Sequence, residues 1–237
     1  MTNDPMTNTD SHQASSLCII PARGGSKRIL RKNIKDFLGK PIIAYSIEAA
    51  LKSKLFKEVM VSTDDEEIAE VARKYGAEVP FFRSDESADD VATLADVVDE
   101  VKMKYQEQNK LFDHICCILP TAPLITVENL KKALFLLNEK DADSVRPVVR
   151  FSYPIQRAVR MSEGKIELFN PEHQNTRSQD LEPAFHDAGQ FYWMKFESGL
   201  RGKNKFGFEI PETHVQDIDI EEDWILAELK YQLKQRK

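Results

Sequence analysis

The chain has 237 residues, 41% of them hydrophobic and 30% charged, with a formal net charge of -6. That length supports one large domain or two small ones, and the composition is that of a water-soluble globular protein. The acidic balance speaks against a general nucleic-acid binder, and no apolar run approaches the roughly 20 residues that span a bilayer.

Residues 1–16 are polar and lack the apolar centre of a signal peptide, so they are expected to form a disordered tail ahead of a single domain over 17–237. Leu17–Pro21 is a short apolar strand. It runs into Ala22-Arg23-Gly24-Gly25-Ser26-Lys27-Arg28-Ile29-Leu30-Arg31-Lys32-Asn33. Two glycines let backbone N–H groups turn inward as a nest for anionic oxygens, and Arg23, Lys27, Arg28, Arg31 and Lys32 surround that nest with positive charge. The expected guest is a polyphosphate. Neither the G-x-G-x-x-G nor the G-x-x-x-x-G-K-[ST] pattern is met, so the loop belongs to a different motif.

From Pro41 the periodicity is helical, with Ile43, Ile47, Ala50 and Leu51 on one face. Glu58–Ser62 is a second strand, after which Asp64 with Glu67 three residues on reads as a helix cap. That helix carries Ile68, Val71, Ala72 and Tyr75 and stops at Gly76. Val79–Phe82 reads as a third strand. Leu94, Val97, Val98, Val101 and Tyr105 mark a helix, His114–Leu119 a central strand, Leu130, Ala133, Leu134 and Leu137 a helix, and Ser144–Val149 a strand. Strands alternating with helices predict an α/β fold with a mostly parallel sheet flanked by helices.

The rhythm then breaks. Residues 150–187 carry Pro154, Pro171 and Pro183 and only one strand-like piece, Lys165–Phe169, and read as an inserted arm. Gln190–Phe196 is an aromatic strand, Gly199–Gly207 a loop, and Val215–Ile220 an alternating acid–aliphatic strand. A final helix from Glu221 is expected to face inward with Ile225, Leu229 and Leu233. Cys18, Cys116 and Cys117 have neither metal-like nor disulfide-like spacing and read as buried thiols of a reducing cytoplasm.

Several groups of residues have chemistry to offer. Arg83, with Asp89, Asp90, Thr93 and Asp96 downstream, suits a base or ribose, or alternatively an ion pair and a helix cap. Thr121 sits in the stiff Pro120-Thr121-Ala122-Pro123 turn, which suits either a hydroxyl offered to a ligand or simply a rigid strand-to-helix connection. Arg177 has the fork to bind a carboxylate, and Gln179, His186, Gln190 and Tyr192 offer hydroxyl- and amide-binding groups suited to a polar sugar acid. Asp217 and Asp219, two apart in an extended strand, would share a face, and such a pair suits Mg²⁺ shared with substrate phosphates, or alternatively a solvated edge strand.

Ile20-Pro21-Ala22-Arg23-Gly24-Gly25-Ser26-Lys27-Arg28 with Arg31-Lys32-Asn33 resembles the opening motif of the CMP–sialic acid synthetases, cytidylyltransferases that activate nonulosonic acids with CTP. The likeness continues through Ser62-Thr63-Asp64, Arg83, Pro120-Thr121, Arg177-x-Gln179-Asp180-Leu181 and Asp217-x-Asp219. Residues 147–157 and 186–193 look like the bacterial pseudaminic acid cytidylyltransferase branch. The resemblance implies a Rossmann-like sheet of the nucleotide-diphospho-sugar transferase type with a dimerisation arm, and a cytoplasmic homodimer. It implies that Ala22, Arg23, Gly24, Ser26, Lys32, Asn33, Arg83, Thr93 and Thr121 bind the nucleotide. Arg177, Gln179, His186, Gln190 and Tyr192 would bind the sugar. Asp217 and Asp219 would hold Mg²⁺, and Arg23, Lys32 and Asp219 would act in catalysis. CTP and a nine-carbon sugar acid are the implied partners, without nucleic acid or membrane, and surface-glycan assembly such as flagellin glycosylation is the implied destination. Legionaminic and N-acetylneuraminic acid are the alternative substrates, and a nucleotide-binding regulator is the alternative outside catalysis. Leu119 stands where sialic acid enzymes carry Gln, which weakens the case for N-acetylneuraminate, and Leu30 replaces a common proline.

Overall fold

A computed structural model describes residues 14–84, 87 and 91–235 of the chain. Asp89 and Asp90 lie outside the described residues, as does most of the expected tail. Within the described residues, the end of the expected tail is already structured: Ser15 bonds through its N–H and hydroxyl to the Asp113 carboxylate, and Ser16 opens the first strand.

In chain order the elements are β1 (Ser16–Pro21), a small hairpin of β2 (Asp36–Phe37) and β3 (Lys40–Pro41), α1 (Ile42–Ser53), β4 (Glu58–Ser62), α2 (Glu66–Lys74), α3 (Leu94–Glu107), β5 (His114–Ile118), α4 (Val127–Glu139) and β6 (Ser144–Arg150). The arm follows, with β7 (Val159–Ser162) and β8 (Lys165–Leu168). Then come β9 (Phe185–Asp187), β10 (Phe191–Lys195), β11 (Lys205–Glu209) and α5 (Glu221–Gln235).

Seven strands form the central sheet, in the order β11-β6-β10-β5-β1-β4. β4, β1 and β5 run parallel, as do β6 and β11, while β10 runs antiparallel between β5 and β6. β9 pairs with the end of β6 on the edge that β11 leaves free, and Gly189, at φ +60°, carries the chain from β9 into β10. The apolar alternation along β1 divides the core. Cys18 and Ile20 face α1, α2 and α4, whereas Leu17 and Ile19 join Met60, Cys117 and Met194 under α3. A third cluster joins Ile29 of the glycine loop to Phe37, Tyr45, Ile218 and Trp224. Phe37 sits edge-on to Tyr45, Trp224 and Tyr231, with ring centres 5.3 to 5.9 Å apart. This cluster fastens the basic loop to the segment that carries Asp217 and Asp219. All three cysteines are free and buried, and burial raises each thiol's pKa.

Four sequence expectations change. Val79–Phe82 forms no strand, because Pro80 has no N–H to pair, and only Glu78 bridges to Met60. The end of the expected Gly199–Gly207 loop instead opens a strand, Lys205–Glu209, because β6 offers it a full parallel partner. Residues 215–220 form no strand, so the shared-face argument for Asp217 and Asp219 does not apply; Ile218 is instead a single apolar anchor between them. On α5 it is Trp224 and Ala227 that face inward, while Ile225, Leu229 and Leu233 are 56%, 52% and 60% exposed. Among the described residues, no helix is long and apolar enough to cross a membrane.

Candidate active site

β1, β4 and β5 end together, and their connecting loops enclose a cavity of about 490 Å³ beyond the carboxyl edge of the parallel strands, where ligands of open α/β sheets bind. Arg23, Ser26, Lys27, Arg28, Lys32 and Asn33 line one wall. Arg83, Thr93, Leu94 and Val97 line another, and Leu119, Pro120 and Thr121 a third. Seven of the nucleotide-binding expectations therefore meet in one space: Arg23, Ser26, Lys32, Asn33, Arg83, Thr93 and Thr121.

Each wall is built by local chemistry. Ala22 donates its N–H to the Ser62 carbonyl (2.9 Å) and buries its methyl in the core, so it ends the strand and leaves no free donor. Gly24 spends its N–H on Asp64 (2.8 Å). Asn33 is buried and holds the Arg23 carbonyl with its side-chain amide (2.9 Å), which sets the curvature of the loop. Arg83 is buried and bonds both the carbonyl (2.8 Å) and the hydroxyl (3.2 Å) of Ser62. Burial lowers its pKa and Asp64 and Glu100 oppose that, yet a guanidinium stays charged at any pH the fold survives. Thr93 caps α3 in a reciprocal capping box with Asp96.

Asp64 is not the cap of α2. Asp65 fills that role, accepting from the Ile68 N–H at 3.0 Å, and Asp64 is drawn across to the glycine loop instead. Arg31 does not join the phosphate nest either. Its guanidinium turns to α2, where it pairs with Asp65 and Glu67.

The acid pair lies beside the basic wall. Lys32 donates to the Ile218 carbonyl (2.7 Å) and stands 3.8 Å from Asp219; Arg28 pairs with Asp219 at 2.7 Å. Burial lowers the Lys32 pKa while Asp219 and Asp217 pull it back up. The Asp217 carboxyl is raised, first by desolvation and then by Asp219. Two neighbouring carboxylates that are only part-neutralised suit a cation that also has phosphate ligands. Among the described residues no three His, Cys, Asp or Glu side chains converge, so a metal bound by protein alone does not fit.

The sugar-binding expectations are not gathered in this way. Arg177 and Gln179 are exposed on the arm, and Gln179 lines a second cavity of about 730 Å³ with Arg150, Tyr153 and Arg157. His186 is exposed on β9, its ring 4.9 Å from Phe151. Gln190 is buried and donates to the His214 carbonyl (2.7 Å), with its own side-chain oxygen unpartnered among the described residues. Tyr192 lies in the sheet, donates to Asp187 (3.2 Å) and is covered by the Arg146 guanidinium at 4.9 Å. Arg146 also pairs with Asp187 at 2.9 Å. Sequence alone assigns Asp65, Arg146 and Asp187 no role of their own: Asp65 and Asp187 stand beside the candidates Asp64 and His186, and Arg146 is a lone charge in an apolar strand.

Residues 17–220 match the family model described as Cytidylyltransferase. The chain is 45% identical over 225 residues to pseudaminic acid cytidylyltransferase of Campylobacter jejuni subsp. jejuni, with 92% of this chain and 97% of that protein covered. It is 32% identical over 234 residues to CMP-N,N'-diacetyllegionaminic acid synthase of Legionella pneumophila, covering 92% and 97%. Among solved structures, a CMP:2-keto-3-deoxy-manno-octonic acid synthetase complexed with CTP superimposes with a TM-score of 0.67 at 17% identity, over 94% of this chain and all (100%) of that one. The last likeness concerns the fold alone, and it agrees with the sheet described above. The family model spans the strand and basic loop that line the cavity and the acid pair beside it, and a near full-length relative at 45% identity is itself named a cytidylyltransferase, so the chain belongs to the cytidylyltransferase family.

Proposed function

We propose that the chain transfers the cytidylyl group of CTP to a nonulosonic acid, pseudaminic acid first among them, giving the CMP-sugar and pyrophosphate. The observation that carries this reading is the single cavity that joins the basic loop, the buried Arg83 and the Thr121 turn at the sheet edge, with Asp217 and Asp219 against its basic wall. The 45% identity to a pseudaminic acid cytidylyltransferase supports the choice of sugar, and the 32% relative makes legionaminic acid the next candidate.

In this reading Arg23, Ser26 and Lys32 hold the triphosphate, and Arg83, Thr93 and Thr121 face the nucleoside. The sugar's anomeric hydroxyl attacks the α-phosphorus in line, the bond to the bridging oxygen of pyrophosphate breaks, and the hydroxyl proton leaves to solvent or base. Arg23 and Lys32 stabilise the charge that develops on the phosphate oxygens. Asp219 orients the attacking hydroxyl, and Arg28 must release it to do so. Asp217 and Asp219 would hold Mg²⁺, which when bound would add charge neutralisation at the phosphates.

The arm supplies the rest of the proposal. Its exposed Tyr153, Ile155, Val159, Met161, Ile166 and Phe169 leave an apolar surface that suits a second copy of the chain. Arg177 on that arm would meet the sugar carboxylate, with Gln179, His186, Gln190 and Tyr192 around the rest of the sugar. We place the reaction in the cytoplasm and its product in surface-glycan assembly; a 33% relative is named a flagellin modification protein of Campylobacter coli. The deciding experiment incubates the protein with CTP, Mg²⁺ and a panel of nonulosonic acids and identifies products by mass. A CMP-sugar with matching pyrophosphate release is expected. CTP binding without pyrophosphate release on any acid would leave a nucleotide-binding regulator instead.

A further inference from the structure

The basic loop is tied down at both ends to the same corner of the fold. At its start the Gly24 N–H donates to Asp64 (2.8 Å). At its end Arg31 closes a fork on Asp65, one arm at 3.0 Å from Oδ1 and the other on Oδ2, and also reaches Glu67. Asp64, Asp65 and Glu67 lie at or within the first turn of α2. Arg31 itself is in the left-handed region (φ +53°), which side-chain-bearing residues seldom adopt, so something must hold it there. It immediately precedes Lys32 and Asn33, whose side chains reach the Ile218 and Arg23 carbonyls. The backbone turn at Arg31 therefore sets where both of those groups point. Arg31 does not line the cavity; its charge is spent on α2.

We propose that Arg31 and Asp65 are positioning residues for nucleotide binding. They form a latch that holds loop 24–31 in its triphosphate-ready shape without touching the nucleotide. The proposal rests on the CTP reading above, and it predicts a sign that simple electrostatics would not. Asp65 and Glu67 are negative charges near a polyanion site. If Arg31 were a phosphate ligand restrained by these acids, removing them would free it and tighten CTP binding. If the three form a latch, removing them loosens the loop and weakens binding.

The test is the Asp65→Asn/Glu67→Gln double variant of the full chain, with Arg31→Ala and Arg31→Lys alongside. Asn caps a helix as well as Asp does, so α2 keeps its cap and the fold is retained. The latch predicts a roughly five- to tenfold weaker CTP affinity by calorimetry for the double variant and for Arg31→Ala, with Arg31→Lys in between, since one ammonium replaces a fork. The KM for the sugar acid should move by less than about twofold, since the latch lies on the far side of the basic loop from the sheet residues that would meet the sugar. Amide hydrogen exchange over residues 24–31 should quicken in the same variants without any nucleotide present. Unchanged or tighter CTP binding by the double variant would overturn the proposal. If the unmodified protein binds no CTP, the functional reading fails on its own, and the nucleotide-free exchange still decides whether the latch exists.

Discussion

Gly24 and Gly25 are neighbours in one loop, yet alanine should act oppositely at the two. A Cβ at Gly24 would lie 2.7 Å from Oδ2 and 3.0 Å from Cβ of Asp65; at Gly25 it would meet nothing within 4 Å. Carbon atoms rest about 3.5–4.0 Å apart, so Gly24→Ala must displace Asp65 by several tenths of an ångström. Rotating the carboxylate cannot relieve the contact with its Cβ. Asp65 also caps α2 and holds Arg31, so the displacement costs about 1 kcal/mol of cap and ~1–3 kcal/mol of overpacking. At roughly 2–4 °C per kcal/mol for a chain of this size, Gly24→Ala should melt about 5–15 °C lower. Gly25→Ala should melt at the same temperature or slightly higher, because alanine narrows the unfolded ensemble by about 0.4–1 kcal/mol. Scanning calorimetry on the two variants and the parent measures both. A Gly24→Ala protein that melts within about 1 °C of the parent would refute the close approach and with it the seating of the loop on α2.

Three further outcomes follow from the same geometry. Thr93→Ala removes one side of the α3 capping box and should lower stability by about 1 kcal/mol in urea unfolding, besides any loss of nucleotide affinity. Asp219→Asn loses its ion pairs with Arg28 and Lys32, both on a carboxylate open to solvent, so its melting temperature should hold while its turnover falls on the order of 10²-fold or more, measured as pyrophosphate release. The Asp65 carboxyl is held below the usual carboxylate range, first by the Arg31 hydrogen bond and despite burial. A lowered acid contributes stability above its unfolded pKa of about 3.9 and loses it as pH falls through its lower folded value. The stability gap between the parent and Asp65→Asn should therefore be present at pH 6 and shrink as pH drops below about 4, read from melting temperatures across that range.

Much of the sheet was legible because its strands are apolar runs closed by proline or polar residues, as in Leu17–Pro21 and His114–Ile118. What misled was pattern without partner. Val215–Ile220 alternates like a strand, but one buried isoleucine between two acids is enough to make that alternation, and no neighbouring strand lies alongside. Lys205–Glu209 alternates too, but Gly207 at its centre disguised it until β6 supplied the pairing. The helix-cap rule fits Asp64 and Asp65 almost equally, and only the Gly24 N–H arriving from another loop separates them. The basic wall of the cavity was legible because it lies within a dozen consecutive residues. The grouping of the sugar-binding candidates was not, because they come from the arm, β9 and β10, and Arg146 meets Tyr192 and Asp187 only through tertiary contact.

The antiparallel strand β10 has a consequence for how the protein is made. It separates β5 from β6, yet it is synthesised after both and after the whole arm. A chain leaving the ribosome with β6 just complete has the β4-β1-β5 group with an open edge at β5, and a lone β6 whose partners are all still to come. Such edges invite pairing with other chains. The gap closes only when Phe191–Lys195 emerges to bond Ile118 and His114 on one side and Val145 on the other. The sheet of this protein therefore cannot be completed before β10 is made, and a ribosome stalled within the arm would hold a chain with open strand edges.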